Sequence, residues 1–211
     1  SDVCSSDLTR RWHQVVYVLG NHELYHSRHT VTTRRAAYAV MADTLPRLAL
    51  LDDASLDYVD PSSGNAWTIV GSTLWAKPDA RLPFQDLTDA HSLRTKNALG
   101  WNVRIGLGDL NWWHRSCVAY LRSPRGPVAA SPFPTLVVTH FPPCPTTLGT
   151  CHPQYRGNAF SSFFGNAWDP WWAAQPRLAA WVCGHTHWSF DLRLPAPPPL
   201  SPLRLLSNQL G

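Results

Sequence analysis

Residues 136–143 read LVVTHFPP, a short apolar run that leads into a histidine and then into a proline-rich turn. An apolar, largely β-branched run of this length predicts a buried strand, and the prolines that follow cannot continue the backbone pairing. The segment therefore predicts a strand over residues 136–139 that places His140 directly at a strand end.

Two other apolar runs end in the same way, each in a turn that carries polar side chains. Residues 15–19 (VVYVL) precede GNHE at residues 20–23, and residues 181–183 (WVC) precede GHTH at residues 184–187. The glycine that opens each motif suits a sharp backbone turn close to a ligand. Because the carboxyl ends of neighbouring strands meet at one crevice, the three turns are expected to converge.

The side chains at these strand ends indicate a metal site. Imidazole is a good ligand for Zn, Mn or Fe, and the carboxamide oxygen of an asparagine adds a harder, neutral donor. A single GNH or HxH is often an ordinary turn or surface pair, so the interpretation depends on all three motifs occurring in this order. The candidate ligands are Asn21, His140, His185 and His187.

The remaining sequence predicts a mixture of helices, strands and hairpins. Helices are expected over residues 33–45, 110–121 and 171–180. Further strands are expected over residues 48–51, 55–59, 67–70, 190–194 and 203–207, the last two at sheet edges. A PSSG turn at residues 61–64 predicts an antiparallel hairpin. Residues 77–110 are expected to form an irregular, partly helical lid, and residues 123–134 a surface loop. This order favours an α/β or α+β sandwich.

Length and composition fit one globular domain. The 211 residues are 44% hydrophobic, which provides a core and excludes a wholly disordered chain. No apolar run approaches the roughly 20 residues of a membrane-spanning helix. The net charge of +4 comes from scattered basic residues, so a nucleic-acid partner is disfavoured. The five cysteines form no CxxC pair and predict reduced thiols in a cytoplasmic protein, although Cys144 and Cys151 could pair across their loop.

Both termini have features of an internal fragment. Residues 1–8 (SDVCSSDL) resemble a translated sequencing adapter, so we expect the domain to occupy residues 9–211. The chain begins with Ser1 and has no recognisable signal peptide, and it stops four residues after the strand predicted over residues 203–207. The natural protein is therefore expected to extend beyond this sequence, and the 211 residues alone are expected to have weak activity or none.

The ordered motifs resemble those of the calcineurin-like metallophosphoesterase superfamily over residues 13–211. Weaker similarities to a bacterial-type branch are GSTLW at residues 71–75, HPQYRG at residues 152–157 and SNQLG at residues 207–211. The resemblance implies two packed mixed β-sheets flanked by helices, with a two-metal centre at the strand ends. The family order is D-x-H, G-D, GNH[D/E], H and GHxH, and the first two motifs do not precede GNHE here. The sandwich is therefore expected to be incomplete at its N-terminus.

The resemblance also implies a chemical role for the candidate residues. Asn21, His140 and His185 resemble ligands of the second metal, and His187 resembles a ligand of the first. The implied cofactors are two divalent ions, each Mn, Fe, Zn or Co, which activate a hydroxide that hydrolyses a phosphate ester. His22 resembles the family histidine that stabilises the developing charge or protonates the leaving oxygen.

Residues near these motifs are assigned supporting roles. Glu23 is expected to hold the GNHE turn in place or simply to begin a helix. His152, Tyr155 and Arg156 lie in the loop after His140, where the substrate would approach. Arg156 could bind phosphate through two hydrogen bonds or anchor its loop by a salt bridge. The substrate is expected to be a small phosphate ester or a phosphoprotein.

Two alternatives remain open from the sequence. One is a non-catalytic binding module that uses the same fold. The other is a mononuclear zinc hydrolase that would use His140, His185 and His187, but the sequence lacks the HExxH helix that such enzymes often carry. The paired tryptophans at residues 112–113 and 171–172 are expected to pack in the core or under the lid.

Overall fold

The structure is a computed structural model that describes residues 9–209, and residues 1–8, predicted to be foreign to the domain, lie outside it. The strands are β1 (Val15–Tyr17), β2 (Leu48–Leu50), β3 (Ala54–Val59), β4 (Ala66–Ser72), β5 (Arg94–Lys96), β6 (Asn102–Arg104), β7 (Thr135–Thr139), β8 (Leu178–Cys183), β9 (Phe190–Leu194) and β10 (Leu203–Ser207). The main helices are α1 (Val31–Asp43), α2 (Thr88–Ser92), α3 (Leu107–Leu121), α4 (Pro127–Ala130) and α5 (Pro170–Ala173).

The largest sheet has six strands in the order β3-β4-β7-β8-β10-β9. Its four central strands, β4, β7, β8 and β10, are parallel, and the two edge strands, β3 and β9, are antiparallel to their neighbours. A mixed sheet of this kind, flanked by helices, confirms the predicted α/β class. The β3–β4 pair also confirms the hairpin predicted around the PSSG turn.

Strands β7 and β8 form the centre of the core because their sequences are apolar on both faces. Val137 on β7 and Trp181 on β8 are fully buried, as is Leu205 on β10. The indole nitrogen of Trp181 donates a hydrogen bond of 2.9 Å to Oγ1 of Thr139, so the one polar atom of this buried ring is satisfied.

A smaller parallel sheet, formed by β1 and β2, lies against the large one. Oγ1 of Thr73, just after β4, donates a 2.9 Å hydrogen bond to the carbonyl oxygen of Leu19, just after β1. At Gly71 the two sheets approach so closely that a side-chain Cβ would stand 2.2 Å from Cβ of Leu51. The GNHE turn therefore comes from a different sheet than His140 and His185.

Helix α3 covers the core because its apolar residues recur at helical spacing. Leu110, Trp113, Cys117 and Leu121 are buried along one face, and the ring of Trp113 packs 5.1 Å from that of Trp75. The prediction for the first tryptophan pair is thus confirmed for Trp113, whereas Trp112 is largely exposed.

Three sequence-based assignments are wrong in detail. The helix predicted over residues 171–180 is confined to α5, because Pro176 interrupts it and residues 178–183 pair as β8 instead. Residues 203–207 form an internal strand, since β10 lies between β8 and β9. The predicted surface loop at residues 123–134 contains α4, whose Val128 is buried in the core.

The described cysteines are free thiols, so Cys144 and Cys151 do not pair. Both are buried, as are Cys117 and Cys183. Across residues 9–209, none of the helices combines the length and the apolar character that crossing a bilayer requires.

Candidate functional site

The ends of β7 and β8 bring two of the predicted ligands together. These strands are adjacent and parallel, so His140 follows one strand and His185 follows the other at the same edge of the sheet. The backbone continues the pairing for one more step, because the amide of Gly184 donates a 2.9 Å hydrogen bond to the carbonyl oxygen of His140. The sheet register therefore sets the relative height of the two imidazoles.

Three predicted ligands converge on one point. Nε2 of His140 lies 3.0 Å from Oδ1 of Asn21 and 3.0 Å from Nδ1 of His185. Asn21 and His140 are 119 positions apart in the chain and come from different sheets. The described residues thus form a compact set of one carboxamide oxygen and two imidazole nitrogens.

Both imidazoles of this set are held in the neutral state by burial. Burial lowers the pKa of His140 to about 3, with smaller contributions from His22 and His187. Burial also lowers the pKa of His185 well below its ordinary value. The ring of His185 lies between the rings of Phe141 and Phe164, with centroid distances of 4.0 and 5.4 Å. A neutral imidazole presents a lone pair, which is the form that binds a metal.

These side chains open into a cavity of about 800 Å³. Every residue predicted for the site lines this cavity except His152 and Arg156. Part of the lining comes from the segment after β7, and another part from the region predicted as a lid, which contributes Leu87 and Asp89. The cavity is large enough for a small organic ester beside the converging donors.

Comparison with known proteins identifies the family. The family model described as calcineurin-like phosphoesterase matches residues 3–189, most of the chain. The chain belongs to the calcineurin-like phosphoesterase family. The crystal structure of a phosphopantetheinyl hydrolase from Mycobacterium tuberculosis is similar with a TM-score of 0.66 and 18% identity, over 99% of this chain and 73% of that one. At this identity the likeness shows a shared fold. No curated protein sequence matches the chain.

Calcineurin-like phosphoesterases generally use divalent metals, and the three converging donors fit such an ion. Each nitrogen of a neutral imidazole is either a hydrogen-bond donor or a hydrogen-bond acceptor. Nε2 of His140 therefore cannot bond equally well to both Oδ1 of Asn21 and Nδ1 of His185. Metal-to-ligand distances of about 2.0–2.2 Å would bring neighbouring donors about 3 Å apart. Within residues 9–209, however, the set holds only two of the His, Cys, Asp and Glu side chains that most often bind metals, and no group of three occurs.

The carboxamide of Asn21 is oriented by two residues that sequence reasoning missed. Its Nδ2 donates hydrogen bonds to Oδ1 of Asp89 at 2.9 Å and to the hydroxyl of Tyr25 at 3.0 Å. The Tyr25 hydroxyl in turn donates to the same oxygen of Asp89, which together with burial raises the pKa of Tyr25. Asp89 lies in helix α2, within the region of residues 77–110 that was predicted to be irregular, and no sequence motif marked it.

The GNHE turn is packed so tightly that its first residue has to be glycine. A Cβ on Gly20 would stand 2.5 Å from Cε1 of His140 and 2.8 Å from Oε2 of Glu23. The same Glu23 oxygen accepts a 2.9 Å hydrogen bond from the Gly20 amide, and the Glu23 carbonyl accepts from Arg34. Glu23 thus contacts both Gly20 and Arg34, and its supporting role at the site stays a prediction. His22 is exposed to the cavity and stacks on Tyr25 at a centroid distance of 4.7 Å.

His187 lies apart from the three converging donors but lines the same cavity. Both histidines of the GHTH turn adopt a left-handed backbone conformation, with φ values of 71° at His185 and 52° at His187. Gln209 holds this turn: its Oε1 accepts a 2.8 Å hydrogen bond from the His187 amide, and its Nε2 donates to the carbonyl oxygen of Trp188. The SNQLG similarity was the sequence signal for this residue.

The loop after β7 places the three predicted substrate residues differently from one another. Tyr155 lines the cavity and is half exposed. His152 packs edge-on against the ring of Trp188 at 4.8 Å, and its Nδ1 accepts from the amide of Gln154. The Arg156 guanidinium lies beside Gly149. If Gly149 carried a Cβ, that atom would stand 3.6 Å from Nη2 of Arg156. Of the three, Tyr155 alone is placed to meet a ligand in the cavity.

Proposed function

We propose that the protein is a metal-dependent phosphoesterase that hydrolyses a small phosphate ester, with its site at the ends of β1, β7 and β8. The observation that supports this most strongly is the convergence of Asn21, His140 and His185 at 3.0 Å separations in a chain of the calcineurin-like family. Nε2 of His140 cannot satisfy both neighbours equally well by hydrogen bonding, whereas a single metal ion between the three donors would be bound by all of them.

The proposal assigns two divalent ions to the cavity, each Mn, Fe, Zn or Co. Asn21, His140 and His185 hold one ion, and His187 contributes to the other. When bound, the ions supply Lewis acidity, which draws charge from the phosphoryl oxygens and makes water more acidic. The sequence ahead of GNHE contains neither D-x-H nor G-D, so the proposal assigns only His187 to the second ion.

His22 is proposed to act on the leaving group. In the net reaction the oxygen of water forms a bond to phosphorus, the ester P–O bond breaks, and the alcohol leaves with a proton. The exposed imidazole of His22, stacked on Tyr25, is free to donate that proton or to stabilise the charge on the leaving oxygen. Tyr155, which also lines the cavity, is proposed to contact the substrate, and His152 and Arg156 to support the same loop.

Metal content and turnover test this proposal together. We expect the purified chain, incubated with Mn²⁺ and freed of excess metal, to retain about one ion per chain at the three-donor site. With excess Mn²⁺ we expect slow hydrolysis of a chromogenic phosphate monoester or diester, because the D-x-H and G-D motifs do not precede GNHE in this sequence. His140→Ala should lose the retained ion, whereas His22→Ala should keep it and reduce kcat about 100-fold or more.

His29→Ala is the matched control, because His29 is an exposed histidine that is not among the described lining residues, and its ring is tilted against that of His26. It should change neither metal content nor turnover. A chain that retains no metal and hydrolyses neither ester would contradict the proposal and would favour a non-catalytic binding module on the same fold.

A further inference from the structure

The cavity next to the three-donor site has one wall made of aromatic rings. This aromatic wall consists of Tyr155, Phe160, Phe163 and Phe164, all from the segment that follows β7. Phe163 is buried and anchors the wall, because its ring packs 6.4 Å from Phe84 and 6.4 Å from Phe160. Tyr155 and Phe164 remain 55% and 41% exposed, so part of the wall presents apolar surface to water.

The wall begins at a predicted metal ligand. The ring of Phe164 stacks on the imidazole of His185 with an interplanar angle of 25° and a centroid distance of 5.4 Å. A group bound against Phe164 would therefore lie next to a phosphoryl group held at the three-donor site. Exposed aromatic rings that adjoin polar, functional atoms are typical of a ligand site and not of ordinary surface.

The charged side chains around the cavity restrict the substrate further. The described lining residues include the acidic side chains Glu23, Asp86 and Asp89 but neither a lysine nor an arginine. Arg156 is not among the described lining residues, and its Nη2 would lie 3.6 Å from a Cβ on Gly149. A second phosphate or another anionic group on the substrate would find no cationic side chain here and would lie opposite carboxylates.

We propose that the substrate of this site carries a single phosphoryl group, esterified to an alcohol with a flat, uncharged, apolar group that binds along the aromatic wall. This inference rests on the proposed function and names its substrate class. Polyphosphates are excluded by the absence of cationic partners among the described lining residues. A phosphoserine side chain is too short and polar to cover the wall, so a phosphoprotein is disfavoured as well.

Binding of non-hydrolysable phosphonates to the full chain in the presence of Mn²⁺ tests the inference without requiring turnover. Isothermal titration would compare methylphosphonate, phenylphosphonate and 4-phosphonobenzoate, which adds a carboxylate to the same ring. We expect phenylphosphonate to bind about 10-fold more tightly than methylphosphonate, since the ring buries apolar area on the wall. The added carboxylate should remove most of that gain.

Variants of the wall locate the effect. Phe164→Leu and Tyr155→Ala should each reduce the ratio of the phenylphosphonate affinity to the methylphosphonate affinity. Tyr155→Ala is the safer variant, because Tyr155 does not stack on a predicted metal ligand. Trp112→Ala is the control, since Trp112 is an exposed aromatic residue on helix α3 that does not line the cavity.

The outcomes separate the two proposals. Binding of Mn²⁺ and methylphosphonate with no preference for the phenyl ring, or with tighter binding of 4-phosphonobenzoate, would overturn the substrate class and leave the phosphoesterase proposal intact. Failure of both Mn²⁺ and methylphosphonate to bind would overturn both. O-phosphoserine would be titrated in the same way. Tighter binding of O-phosphoserine than of phenylphosphonate would favour a protein substrate and would also overturn the inference.

Discussion

Asp89 accepts a hydrogen bond of 2.9 Å from Nδ2 of Asn21, although the two residues are 68 positions apart in the chain. A carboxylate only accepts hydrogen bonds, so this contact determines which end of the carboxamide is the NH₂ group. The oxygen end consequently turns toward Nε2 of His140. A residue without any motif thus orients one of the three converging donors, and Tyr25 reinforces it by donating to the same carboxylate.

Asp89→Asn should weaken metal binding at the three-donor site. The substituted amide no longer defines the orientation of Asn21, and supporting residues of this kind typically change metal affinity about 10- to 100-fold. Competition with a chromophoric chelator for Co²⁺ or Mn²⁺ would measure the change. Asp86→Asn is the control, because Asp86 is an exposed carboxylate on the same cavity, and it should leave the affinity nearly unchanged. Equal affinities of the two variants would contradict the orienting role.

Gly20→Ala should destabilise the protein and displace His140. The new Cβ would come 2.5 Å from Cε1 of that imidazole, and overpacking of this kind costs about 1–3 kcal/mol of unfolding free energy. Gly184→Ala is a matched control in the other motif, because its Cβ would meet nothing closer than the carbonyl oxygen of His140 at 3.7 Å. Urea denaturation would measure both, and similar losses for the two variants would refute the steric argument.

Trp181→Ala should cost about 3–5 kcal/mol of unfolding free energy, as expected for removal of a fully buried indole from the centre of the sheet. Loss of the hydrogen bond to Thr139 adds to the cavity that the ring leaves. Trp101→Ala, at a largely exposed position, should stay within about 0.5 kcal/mol of the parent. Chemical denaturation monitored by circular dichroism would measure both, and a loss below 1 kcal/mol at Trp181 would contradict the central position of β8.

Stability should fall in alkaline solution because of the buried thiols. Burial raises the pKa of Cys117 to about 11 and that of Cys144 to about 12, from an ordinary value of 9.0. Above pH 9 the unfolded chain therefore loses protons that the folded chain retains, and the unfolding free energy decreases by at most about 1.4 kcal/mol per pH unit for each thiol. This stabilisation is complete below pH 9 and is lost as the pH rises toward 11.

Urea denaturation at a series of pH values from 8 to 10.5 would measure this slope. Cys117→Ala should give a shallower dependence on pH than the parent, whatever its stability at pH 8. An unchanged slope in that variant, and in Cys144→Ala, would show that these thiols are not protected from ionisation in the folded state.

Several elements could be predicted from the sequence because each depends on local periodicity. The apolar runs before His140 and His185, the hairpin around residues 61–64 and the apolar face of α3 all have short-range patterns that the structure confirms. The predictions that failed depended on long-range pairing. Residues 178–180 became part of β8, and β10 became an internal strand, because partners far away in sequence supply the hydrogen bonds.

The sequence by itself determined the family, through the ordered GNHE, His140 and GHTH motifs, because these residues occupy turns set by the local chain. Only the tertiary structure decided what surrounds them. The orientation of Asn21 by Asp89, the requirement for glycine at position 20 and the aromatic wall beside His185 arise between segments that fold onto one another across two sheets. Such contacts depend on how distant segments pack against one another, and a local pattern of residues does not predict that packing.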